Sequence, residues 1–138
     1  MNSIEEAVQL FEHGYMCSQA IFAAFSQEYN LSKDQALKIG ACFGSGMRKG
    51  EVCGACTGAL MVLGLEYGES KEKSDEVCER FLNEFKKENG SYLCRDLLGC
   101  DISTQEGVKY AKDNNLFKDF CPKMVESAAK ITKNIVEE

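Results

Sequence analysis

The sequence predicts an all-α protein: one domain over residues 1–138, with six or seven helices wrapped around a buried central one. Three observations carry this expectation. Apolar residues recur at helical spacing in every segment, and most segments open on a capping residue. No alternation of apolar and polar residues runs far enough to signal a strand. One proline and twelve glycines fit helices interrupted by glycine, and 138 residues suffice to bury a core without disulfide staples.

Ser3-Ile4-Glu5-Glu6 is a capping-box pattern, with Ile4, Ala7, Val8 and Phe11 on one face and Gly14 as the stop. A second helix opens at Tyr15-Met16-Cys17-Ser18-Gln19 and continues through the apolar body from Ala20 to Phe25. Ser32 with Gln35 caps a third, which runs out near Cys42-Phe43. Gly44 to Gly50 then form a glycine-rich loop. It lacks the Gly-Lys-Ser/Thr ending of a phosphate-binding loop and follows no strand, so its expected task is to bring backbone N–H groups close to a neighbouring site.

The chain is organised around the next stretch. From Val52 to Leu65 there is no charged residue, and the run is too short to span a bilayer, so it reads as a buried helix over Gly54 to Tyr67. After Gly68, Ser70 or Ser74 caps a long amphipathic helix with Val77, Phe81, Leu82 and Phe85 inward, and Asn89-Gly90 ends it. Ser91 precedes a short helix from Tyr92 to Leu98, and Ser103 or Thr104 starts another. Cys121-Pro122 opens the last helix, with Met124, Val125, Ala128, Ile131 and Ile135 at helical spacing.

The eight cysteines stand out. The first residues show neither a basic stretch nor an apolar one, so no signal peptide is read and a cytoplasmic protein is expected. There, cysteines in this number point to redox or metal chemistry rather than to a disulfide scaffold. Cys17, Cys53, Cys94 and Cys121 each fall at the start of a different helix. Helix N-termini carry unpaired N–H groups and partial positive charge, which favour thiolate over thiol. The expectation is that the four converge on one pocket and that Cys53 has the lowest pKa. Cys56 completes a Cys-x-x-Cys with Cys53 and reads either as a redox partner or as a small buried residue. Cys42 and Cys78 adjoin apolar faces and are expected to be structural.

These residues resemble a known family. Cys53-Gly54-Ala55-Cys56-Thr57-Gly58, preceded by Gly50-Glu51-Val52, is similar to the Cys-Gly-Ala-x-x-Gly motif of the redox-active proteins named for the C_GCAxxG_C_C pattern. Gly14 to Ala20, Cys94-Arg95-Asp96-Leu97-Leu98-Gly99 and Cys121-Pro122-Lys123-Met124-Val125 resemble its other cysteine segments. The resemblance implies a redox role and maps the family's four characteristic cysteines onto Cys17, Cys53, Cys94 and Cys121.

Three functions follow as alternatives. The first is thiol–disulfide chemistry, with Cys53 as nucleophile, another of the four as resolving thiol, and a redox partner protein or small thiol as counterpart. In the second, an electron-transfer or sensor module, the four thiolates hold an iron–sulfur cluster; zinc ranks lower, because the wide spacing is unlike a zinc ribbon. The third is a helical interaction protein with incidental cysteines. The net charge of −6 argues against nucleic acid and anionic membranes as partners, and a homodimer stays open. Covalent haem is disfavoured: there is no Cys-x-x-Cys-His, and the single histidine, His13, reads as an exposed helix end.

Overall fold

In the computed structural model, which describes residues 1–138, the chain is all-α. Seven helices of seven or more residues are α1 (Ser3–Glu12), α2 (Cys17–Ser26), α3 (Lys33–Ile39), α4 (Gly54–Tyr67), α5 (Lys71–Asn89), α7 (Gln105–Asp113) and α9 (Cys121–Val136). Two single-turn segments, α6 (Cys94–Leu98) and α8 (Leu116–Asp119), complete the chain. No helix is long and apolar enough to cross a membrane.

The caps mostly follow the local chemistry. The hydroxyls of Ser32, Ser70 and Thr104 accept the N–H groups of Gln35, Lys73 and Gly107. At α1 the cap is Asn2 rather than Ser3, its side chain accepting the Glu5 N–H. Ser91 lies two residues before the N-cap of α6, where its hydroxyl accepts the Leu93 N–H and donates to Asp96.

The central helix α4 runs between the expected bounds and packs chiefly against α2, then α9 and α5. Its first turns are buried at Gly54, Ala55, Cys56, Gly58 and Ala59; these small residues let α2 come close. Its far end emerges at Leu65. Phe81 and Phe85 of α5 stack with ring centroids 6.0 Å apart, and Ile21, Phe25, Val125 and Ile135 fill the rest of this main core. A second, smaller cluster is built from Cys94, Leu98, Ile102 and Ala111, with Val108, Phe117 and Phe120 against it. The segment from α6 to α8 therefore forms a separate apolar lobe beside the main core.

Candidate functional site

Each of the four helix-start cysteines is where the sequence places it. Cys17, Cys94 and Cys121 are the first residues of α2, α6 and α9, and Cys53 is the N-cap of α4. All four line one cavity of about 570 Å³. It lies at the seam of the two clusters: Cys53 and Cys17 belong to the main core, Cys94 and Cys121 to the smaller one. The remaining wall is apolar, with Phe11, Met16, Leu97, Phe117, Phe120 and Met124, and Glu12 and Lys118 are the charged residues that border it.

Hydrogen bonds from distant segments set these positions. The Gln19 side chain accepts the Met16 N–H at 2.9 Å and donates to the Leu37 carbonyl at 2.8 Å, tying the start of α2 to α3. Below it, the buried Ser18 hydroxyl donates to Gly40 O at 2.7 Å. An antiparallel bridge between Val52 and Leu93 joins the starts of α4 and α6. The Cys53 N–H donates to Tyr92 O at 2.8 Å, and the Cys94 N–H to Glu51 O at 2.6 Å. Arg95 clamps the same strip, giving Nε to Gly50 O at 3.1 Å and Nη2 to Glu51 Oε2 at 2.7 Å. The Arg95–Glu51 contact was not legible as a pair, because its partners are 44 positions apart in a chain rich in both charges.

The glycine loop has an unusual backbone. Ser45, Gly46, Met47 and Arg48 all have positive φ, between 56° and 60°, making a short left-handed turn. Left-handed backbone costs a non-glycine residue about 1–2 kcal/mol, so three such residues in sequence store strain beside the cavity. The turn sets the Ser45 N–H beside Cys17, where it and the Ser18 N–H favour the thiolate. This is the backbone approach the glycines suggested.

The Cys17 sulfur lies against Gly54, next to Cys53, and Cys56 is fully buried in the first turn of α4. Cys94 and Cys121 stand near enough to Cys17 for its charge to be felt at both. No three Cys, His, Asp or Glu side chains gather as a ligand set for a single metal ion.

Acidity runs opposite to the helix-dipole expectation. Cys17 is held well above its ordinary value, first by donating to Cys53, then by burial and the Cys53 charge; the Ser45 and Ser18 N–H groups offset only part of this. At Cys53 the largest influence is the Cys17 S–H, which lowers the pKa, but hydrogen bonding to Cys56 and burial together outweigh it. Burial pushes Cys94 and Cys121 up to about 12. Desolvation and crowding of like groups thus override partial charges at helix ends. These thiols titrate as a set, so the first proton leaves more readily than those that follow.

This has a consequence at alkaline pH. Cys94 and Cys121 keep their protons up to about 12 when folded, against 9.0 for the free thiol. The folded chain therefore holds more protons than the unfolded chain across that window. Their contribution to stability is complete below pH 9 and is lost as pH rises towards 12. At about 1.4 kcal/mol per unit, the buried Cys94 alone sets a ceiling of ~4 kcal/mol; the half-buried Cys121 adds less. Tyr29, raised by burial and by Glu66 to about 12, acts in the same direction. Comparing urea midpoints of wild type and Cys94→Ala between pH 8 and 11 isolates the cysteine contribution. Equal slopes would contradict it.

The other cysteines separate. Cys78 is half-buried on α5, whereas Cys42, expected on an apolar face, is exposed. The short 3-10 turn Gly40–Cys42 that follows α3 puts it on the outside. Cys42→Ala is therefore not expected to cost stability. Cys100 is half-buried against the smaller cluster. His13 is exposed at the end of α1.

No curated protein and no solved structure shows significant similarity to this chain. A family model described as "Putative redox-active protein (C_GCAxxG_C_C)" matches residues 15–135 and so spans all four cavity cysteines. With that match over nearly its whole length, the chain belongs to the C_GCAxxG_C_C family of redox-active proteins.

Proposed function

We propose that the protein carries out thiol–disulfide exchange, with Cys17 and Cys53 as the working pair. The observation behind this reading is that both thiols line one cavity and that the Cys17 sulfur lies against Gly54, the residue that follows Cys53. Cys53 is the nucleophile, because Cys17 and the Ala55 N–H both favour its thiolate. It attacks one sulfur of a disulfide brought by a small molecule. A mixed disulfide forms at Cys53, and the first thiol departs with the Cys53 proton. Cys17 then attacks the Cys53 sulfur, closing the Cys17–Cys53 bond and releasing the second thiol with the Cys17 proton. Two cysteines lose two electrons and two protons, and the incoming disulfide becomes two thiols.

Equilibration in dithiothreitol redox buffers, followed by alkylation, tests this proposal. Read at the Cys17 and Cys53 peptides, one two-electron transition is expected, absent in Cys17→Ser and in Cys53→Ser but retained in Cys42→Ser. A transition that survives both cavity substitutions would rule the pair out.

A second reading keeps its place on one observation: Cys94 and Cys121 face the same cavity, and one disulfide leaves them without a task. Four thiolates are the donor set of an iron–sulfur cluster, which Cys17, Cys53, Cys94 and Cys121 would hold and which, when bound, supplies one-electron transfer. A single zinc ion fits poorly, since its sulfurs must lie about 2.3 Å from one point and no such set is gathered. Iron and acid-labile sulfide assays on anaerobically purified protein separate the two readings.

A further inference from the structure

We propose that Cys100 is an exit thiol for this site, passing a disulfide from the cavity to a protein reductant that cannot enter it. This rests on the thiol–disulfide reading above. Cys100 does not line the cavity. It packs instead, with Cys121, against the cluster that contains Cys94, so three thiols from α6, its end and α9 share one small apolar lobe. The chain arrives there through Gly99, whose φ of 70° closes α6 in the left-handed region. The residue after such a cap commonly folds back on the helix it ends. Cys100 is also close enough for its charge to raise the pKa of both Cys94 and Cys121.

The placement suits transfer. The cavity thiols sit among Phe117, Phe120 and Met124, where a small disulfide fits and a folded protein does not. Cys100 is half-buried and is followed by the exposed Asp101. α6 is a single turn held at its start, so the adjustment that brings the sulfurs together falls at its Gly99 end. The Cys94 thiolate first attacks the Cys17 sulfur and releases Cys53, which takes up the Cys94 proton. Cys121 then attacks the Cys94 sulfur and releases Cys17 with the Cys121 proton, so the disulfide moves to Cys94–Cys121. In the transfer step the Cys100 thiolate attacks the Cys121 sulfur of that disulfide. A Cys100–Cys121 bond forms, and Cys94 leaves and takes up the proton that Cys100 gave. No net oxidation occurs. A reducing protein dithiol then attacks the Cys100 sulfur, frees Cys121, and completes the reduction with its second thiol, which becomes its own disulfide.

The test compares two reductants on oxidised wild type, Cys100→Ser and Cys100→Ala. Thioredoxin serves as the protein dithiol and dithiothreitol as the small one. Both variants should slow reduction by thioredoxin about tenfold or more while leaving dithiothreitol within about twofold, since thiol access decides exchange rates. Trapping with iodoacetamide during the wild-type reaction should yield a Cys100–Cys121 peptide. Equal thioredoxin rates in all three proteins would overturn the relay while leaving the cavity reading intact. If the wild-type cavity forms no disulfide at all, both fall together.

Discussion

Gly107→Ala is expected to destabilise the protein by ~3 kcal/mol or more, at or beyond the upper end of ordinary overpacking costs. Gly107 lies buried in the first turn of α7, pressed against the 101–102 backbone. A Cβ there would fall within bonding range of the Asp101 carbonyl and 3.1 Å from the Ile102 nitrogen. The neighbour is backbone, so no rotamer change relieves it. That backbone is held in place, because the Thr104 hydroxyl donates to Asp101 O at 2.8 Å and accepts the Gly107 N–H at 3.0 Å. Alanine's better helix propensity returns only about 1 kcal/mol. Separation of α7 from this turn would pull Ile102 out of the smaller cluster and expose Cys94. Urea denaturation should show a lower midpoint, and Cys94 should alkylate faster in the folded protein. An unchanged midpoint would mean that the two segments are not packed as described.

Gly54→Ala acts at the cavity itself. The added methyl would overlap the Cys17 sulfur and approach Gly44 Cα to 3.0 Å and Phe43 O to 3.1 Å. Either Cys17 turns away or the start of α4 moves off the loop, and both separate Cys17 from Cys53. The expected cost is ~2 kcal/mol of stability, with disulfide formation between the pair slowed at least about tenfold, as misplacement of reacting atoms predicts. Gly64→Ala is the control on the same helix. Its Cβ meets nothing within 4 Å, so the change should stabilise α4 by up to about 1 kcal/mol. Reactivity unaffected by Gly54→Ala would show that the close approach has no role in the chemistry.

Much of this architecture was legible because the signals are local. The uncharged run from Val52 to Leu65 marked α4 between its actual bounds; Ser32 announced its helix, and the caps read as Ser70 or Ser74 and as Ser103 or Thr104 are Ser70 and Thr104, each reaching only three residues ahead. The common position of four cysteines at helix starts was local as well, and it selected the residues that line the cavity. What escaped depends on distance or competition. Met47 and Arg48 have no preference for positive φ; the surrounding structure imposes it. Gln19 could be seen beside Cys17, but its acceptor Leu37 belongs to another helix. Thiol acidity was misjudged because N–H groups and helix ends can be read from sequence, whereas burial of neighbouring sulfurs cannot. Cys100 gave no signal in the sequence, because its company in the smaller lobe is purely tertiary.

Peptide mapping of disulfides after oxidation with one equivalent of a small disulfide is the most direct test of the Cys17–Cys53 pair. The oxidised protein should yield a peptide joining Cys17 to Cys53, with Cys42 and Cys78 still alkylated as free thiols. A first disulfide that links other cysteines, or a protein that leaves Cys17 and Cys53 both free, would contradict it.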